Sequence, residues 1–168
     1  MKLQEALAKQ FGMMYATAAS NLEGVDQEHS LITPEPSGNC LNWILGHMVT
    51  VHNGLMMLLD EPPVWENEHL SRAKFFKPVT DSSNALDWSV MRDRFLSSRD
   101  RCLAALSRVS DEAMSDKLPN PFGGETTRGE LLNVLAYHQA YHVGQLGVVR
   151  RIAGLEGKVK GPGQPPKN

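Results

Sequence analysis

Several features that would define a protein class are scarce in this chain, and each scarcity excludes something. No stretch approaches the eighteen or so consecutive apolar residues of a membrane-spanning helix, so a helical membrane protein is excluded. Positive charge has no surplus, with 17 Lys and Arg against 19 Asp and Glu and a formal net charge of −2. Without a basic field or a polybasic cluster, neither nucleic acid nor an anionic lipid surface is an expected partner. Cysteine is rare: Cys40 and Cys102 form no pairing motif, and both sit in apolar helical patterns. They read as buried free thiols, which rules out a disulfide framework and fits a reducing cytosol. The opening residues, Met1 to Glu5, lead into an amphipathic pattern rather than a secretory apolar run, so a cytoplasmic location is expected. No period-two strand pattern competes with the helical one, and no internal repeat is visible.

What is present is helical periodicity in a chain of 168 residues, 41% hydrophobic and 21% charged, long enough for one domain with its own core. Leu3, Leu7, Phe11, Met14, Ala18 and Leu22 recur at three- and four-residue steps and predict a first helix over 3–24, with Gly24 as its stop. Thr33-Pro34-Glu35-Pro36-Ser37-Gly38 breaks regular structure. A second helix is predicted over 40–59, with Asn39 as N-cap and Ile44, His47, Val51, Leu55 and Leu58 on one face, ended by Pro62 and Pro63. Residues 61–81 form a long link whose Trp65, Phe75, Phe76 and Pro78 are placed across one end of the fold.

A third helix is predicted over 84–109 on Trp88, Met91, Phe95, Cys102 and Leu106, with Ser98 and Arg99 in the gap of that stripe and Arg99 read as a surface residue. After a loop at 110–125, Thr127-Arg128-Gly129-Glu130 matches a capping box and opens a fourth helix reaching 153, with Leu131, Val134, Leu135, His138, His142, Val149 and Ile152 inward. The fold class is therefore all-α: a four-helix bundle, up-down-down-up, with one long connection between helices two and three. The domain spans 1–153, and a Gly-, Pro- and Lys-rich tail over 154–168 is expected to fray.

The chemistry lies in the last helix. His138 and His142 stand at i and i+4, which places both rings on one helical face, roughly 6 Å apart along the axis. Both fall on the predicted apolar face, where ring nitrogens need partners; a metal ion supplies them, as do ordinary hydrogen bonds. A third ligand is best supplied by His47, which interrupts the apolar stripe of helix two. Three imidazoles leave positions open on an ion, as catalysis requires, and they suit zinc, nickel, iron, copper and cobalt alike. Gln139 follows His138, so the general base of an H-E-x-x-H protease is missing. His52 is assigned to the helix surface or to the surroundings of the ligands; His29 and His69 are assigned to solvent near loops. Asn42, Tyr141 and Gln145 are candidates to orient ligands or substrate, against the plainer readings that Tyr141 packs and that Gln145 faces another chain or satisfies backbone.

Asn42-Trp43-Ile44-Leu45-Gly46-His47, followed far downstream by His138-Gln139-Ala140-Tyr141-His142-Val143-Gly144-Gln145-Leu146, resembles the DinB-like (YfiT-like) superfamily of metal-dependent enzymes. The pattern is an apolar helix ending in L-x-H, then a late H-x-x-x-H followed by G-Q, and the likeness runs from about residue 3 to 153. The resemblance implies a four-helix bundle, often dimeric, that binds nickel, zinc or another divalent ion through His47, His138 and His142. It also implies thiol-dependent transfer or isomerisation chemistry, with a small electrophile and a low-molecular-weight thiol as partners. A thiol or water activated by the ion and attacking a small electrophile is one expectation. A homodimer that sequesters metal or a small ligand without turnover is the other, with Met13, Met56 and Met57 as candidates for its contact face.

Overall fold

The computed structural model describes residues 1–66, 70, 84–121 and 123–159. In chain order its elements are α1 (Leu3–Leu22), α2 (Gln27–Leu31), α3 (Leu41–Leu58), α4 (Trp88–Ser97), α5 (Arg99–Arg108), α6 (Asp111–Met114), β1 (Lys117–Pro119), β2 (Glu125–Thr127) and α7 (Arg128–Ile152). The described chain is mostly helical, with one two-stranded antiparallel ladder that pairs Leu118 with Thr126.

The long helices follow the apolar periods. Leu7, Phe11, Met14, Ala18 and Leu22 of α1 share one buried core with Leu41, Ile44, Leu45, Met48 and Leu55 of α3 and with Phe95, Leu106, Leu132, Val143 and Leu146. Glu23 ends α1 in an extended conformation, and Gly24 follows at φ +70°, a backbone state glycine adopts without the steric cost of a Cβ. The N-cap of α3 is Cys40 rather than Asn39, and its side chain makes no capping bond. The connection after α1 holds the short helix α2, which Asp26 caps by accepting from the His29 N–H at 2.8 Å.

The predicted third helix is two helices. It starts at Trp88, where Asp87 accepts from the Val90 N–H at 2.9 Å, and it breaks at Ser98. There the Ser98 hydroxyl donates to the Phe95 carbonyl at 2.6 Å, a local bond that competes with the helical ladder. The predicted loop at 110–125 contains α6 and the ladder; strands of three residues are too short to display a period. The capping box at the start of α7 is present, with the Glu130 N–H donating to Thr127 Oγ1 at 3.2 Å and Glu130 Oε2 accepting from the Thr127 N–H at 2.8 Å.

The inner face of α7 differs from the apolar prediction. Val134 and Ile152 are each 48% exposed, whereas Gln139 and Arg150 are buried. Arg150 tolerates burial because it is bonded to the carbonyls of Asn21, Glu23 and Glu156; Gln139 is bonded through Nε2 to the Met48 carbonyl, while its Oε1 meets no partner among the described residues. Met56 is fully buried and belongs to the core, while Met13 and Met57 are exposed. Asn53 pins the start of the long link by accepting from the Val64 N–H at 2.8 Å and donating to the Trp65 carbonyl at 2.9 Å. Phe75, Phe76, Pro78 and His69 lie outside the described residues. Past α7, the Glu156 carbonyl accepts from Arg150, and Leu155 packs against the core.

Helix ends that meet are tied by name. Leu3 of α1 lies against Gly129 of α7, and Asn21 donates to the Val143 carbonyl at 2.9 Å. Arg128, at the start of α7, donates to the Leu58 carbonyl at the end of α3. Tyr15 meets Ser98 at 2.8 Å, and Lys2 pairs with Asp111 at 2.8 Å.

Candidate metal centre

α3 and α7 pack so that three imidazoles converge. His138 Nε2 stands 3.1 Å from His47 Nε2 and 3.2 Å from His142 Nε2. Ring centroids are 5.0 Å apart for His47 and His138, 4.7 Å for His47 and His142, and 4.5 Å for His138 and His142. The i, i+4 spacing places the last two on one side of α7, as the helical repeat requires.

All three rings favour the neutral form. Burial first, then the neighbouring His142 and His138, lower the pKa of His47 to about 4. Burial also lowers His138 and His142; the bond to Gln145 opposes the shift at His142. A neutral imidazole carries one N–H and one lone pair, and the partner of one nitrogen fixes the state of the other. At His142 that partner is Gln145, whose Oε1 accepts from Nδ1 at 2.7 Å. His142 Nε2 is therefore a bare lone pair aimed at the cluster.

This donor set fits a divalent ion. Three Nε2 atoms crowd together, and His142, whose proton is held at Nδ1, contributes a lone pair rather than a bridging proton. Ligand nitrogens about 2.0–2.1 Å from one ion stand about 3.3 Å apart at a tetrahedral angle and about 2.9 Å apart at a right angle. The observed 3.1 and 3.2 Å fall between those values. Among the described residues, His47, His138 and His142 are the group able to hold a metal ion, with ligand atoms all within 4.8 Å of one another. His138 Nδ1 is buried and meets no partner among the described residues.

The other candidates are placed as follows. Gln145 orients His142 and donates from Nε2 to the Tyr141 hydroxyl at 3.2 Å; Tyr141 is 56% exposed, its ring edge against His142. Asn42 serves a different contact. Its amide donates to the Leu86 carbonyl at 2.9 Å and accepts from the Leu86 N–H at 3.0 Å, which clamps the start of α4 to α3. His52 is not on the surface: it is fully buried, with Nε2 at 2.5 Å from the Tyr15 hydroxyl. His29 lies within α2, and its Nδ1 pairs with the capping Asp26 at 2.7 Å. Arg99 is half exposed beside Asp100.

Trp43, part of the same sequence motif as His47, adds a contact to the site. Its ring stacks on His47 at 5.1 Å and 15°, which walls one side of that imidazole. The signal was its position four residues before His47, one turn away on the same face.

Residues 10–146 match the family model of the DinB superfamily. Among solved structures, the chain is similar to a conserved protein from Enterococcus faecalis, with a TM-score of 0.68 and 17% identity over 91% of this chain and 98% of that one. At that identity the likeness speaks for the fold alone. Among the curated proteins nothing matches the sequence.

Proposed function

The chain belongs to the DinB superfamily, and we propose that it is a metal-dependent enzyme whose site is His47, His138 and His142. The observation that carries the proposal is the convergence of three Nε2 atoms from two helices with neutral rings. When bound, a divalent ion such as nickel or zinc lowers the pKa of a thiol or water toward neutrality, giving a nucleophile without a separate base. The chain's own residues do the rest. Gln145 holds His142 in the tautomer that presents Nε2, and Trp43 fixes the plane of His47. Tyr141, exposed beside His142, is placed to meet a substrate at the mouth of the site. The substrate class is a small electrophile, and the co-substrate a low-molecular-weight thiol or water.

The finer architecture belongs to the same proposal. Leu3 beside Gly129 and Asn21 beside Val143 support parallel α1 and α7. Arg128 at Leu58 supports an α3 running against α7, and Lys2 at Asp111 an α4–α5 pair running against α1. Together they support a four-helix, up-down-down-up bundle. A homodimer is proposed with its contact on the side of α7 where Val134, Tyr137, Val148 and Ile152 are exposed. Buried free Cys40 and Cys102 support a reducing, cytoplasmic compartment.

The test is turnover. Protein loaded with nickel or zinc, and the same protein stripped with chelator, are assayed with an electrophile panel, with and without low-molecular-weight thiols. The proposal expects thiol- or water-dependent consumption that needs the ion and is lost in His47→Ala and His138→Ala. Stoichiometric metal uptake with no turnover on any electrophile would favour the sequestering protein.

A further inference from the structure

One buried residue from each of the helices α1, α3 and α7, together with Ser98 at the break between α4 and α5, forms a hydrogen-bonded chain beside the histidine cluster. Gln139 Nε2 donates to the Met48 carbonyl at 3.0 Å and lies 3.5 Å from His52 Nδ1. His52 Nε2 meets the Tyr15 hydroxyl at 2.5 Å, and that hydroxyl meets Ser98 Oγ at 2.8 Å. The proton direction follows by elimination. Ser98 spends its only proton on the Phe95 carbonyl at 2.6 Å, so Ser98 Oγ accepts from Tyr15. Tyr15 oxygen then accepts from His52 Nε2–H, which leaves His52 Nδ1 as the acceptor facing Gln139. The amide has two N–H groups: one serves Met48 and the other points at His52.

Two positions in this arrangement adjoin the cluster. Gln139 follows His138 on α7, and Met48 follows His47 on α3. The Gln139–Met48 bond therefore ties together the backbone segments that carry ligands from two different helices. A fully buried amide holding a carbonyl across a helix pair is costly to displace, because both groups lose their partners at once. We propose that Gln139 is a positioning residue for the three-histidine site: its bond to Met48 sets the distance between His47 and His138. This rests on the reading of the three histidines as a metal site. The Tyr15–Ser98 end of the chain, by contrast, stabilises the core without setting the ligands.

The experiment is a titration of tag-free protein with Co(II), whose visible bands report ligand geometry. Wild type, Gln139→Met and Tyr15→Phe are compared, each checked for folding by circular dichroism. Gln139→Met keeps length and volume and removes the donor. It is expected to weaken Co(II) binding about 10–100-fold, the usual cost of losing a group that orients metal ligands, and to shift the bands. Tyr15→Phe is expected to lower the melting temperature while leaving affinity and bands as in wild type. Should Gln139→Met not fold, Gln139→Asn, one methylene too short to reach Met48, carries the same expectation. Wild-type affinity and bands in the folded Gln139 variant overturn the positioning role and leave the metal site standing. Equal weakening by Tyr15→Phe also overturns it, since the effect is then general loosening. No Co(II) uptake by wild type overturns the site and this inference together.

Discussion

Gln145 accepts the Nδ1 proton of His142 at 2.7 Å from the position three residues along the same helix. That bond decides which nitrogen of His142 is available to a ligand, because a ring protonated at Nδ1 offers its lone pair only at Nε2. Replacing Gln145 by Leu frees the ring to flip and to change tautomer. Zinc affinity, measured by competition with a chromophoric chelator, is expected to fall about 10–100-fold. An unchanged affinity would show that the bond does not orient the ligand.

Acid should unfold the metal-free protein through its histidines. His47 has a pKa of about 4 and His52 about 3, both lowered first by burial, with Arg101 adding to the effect at His52. The unfolded rings titrate near 6.5. The unfolded state therefore binds more protons in between, and stability rises with pH over that window. The stabilisation is complete above about pH 6.5 and is lost as pH falls through the folded values. Urea midpoints measured in the presence of chelator from pH 7 down to 4 should decrease steadily, with proton uptake on unfolding. A flat profile would mean that these rings are not kept neutral by the fold.

Arg150 is 3% exposed and closes the end of α1, donating from Nη1 to the Asn21 carbonyl at 3.1 Å and to the Glu23 carbonyl, and from Nε to the Glu156 carbonyl at 2.6 Å. Its charge also meets the negative end of the helix dipole. Arg150→Met keeps the stem and removes the donors. Bonds to a charged group contribute about 1.5–3 kcal/mol each, partly replaced by water, so a loss of about 3 kcal/mol is expected in chemical denaturation. A loss below about 1 kcal/mol would place the carbonyls in water rather than in a buried cap.

Two glycines inside helices should respond in opposite directions to alanine. A Cβ on Gly129 would stand 3.0 Å from Leu3 Cδ2 and 3.1 Å from the Met114 carbonyl, whereas at exposed Gly54 nothing lies within 4 Å. Gly129→Ala should cost about 1–3 kcal/mol through overpacking. Gly54→Ala should stabilise by about 0.5–1 kcal/mol through reduced chain entropy. Melting temperatures of the two variants, compared with wild type, decide both.

The helical class and the two helices that carry the clustered histidines were legible because apolar period and spacing are local properties. His138 and His142 share a face by geometry alone, and the Thr127–Glu130 cap is written in four residues. Other features depended on partners distant in sequence. His52 reads as either helix surface or the surroundings of the ligands because nothing in its own helix reveals Tyr15, 37 positions earlier, as its partner. Gln139 and Arg150 are absent from the predicted inner face because burial of a polar side chain depends on acceptors from elsewhere in the fold. The break at Ser98 was hidden for a different reason: serine is compatible with a helix until its hydroxyl takes the Phe95 carbonyl. Asn42 stood beside the motif in sequence, yet its amide is committed to Leu86.

The central claim is that His47, His138 and His142 hold one divalent ion. Elemental analysis of protein produced without an affinity tag and dialysed against zinc tests it directly. The account predicts one tightly held ion per chain in wild type and loss of that ion in His138→Ala with the fold intact. A folded wild type that retains no ion, or a His138→Ala variant that retains as much as wild type, would contradict it.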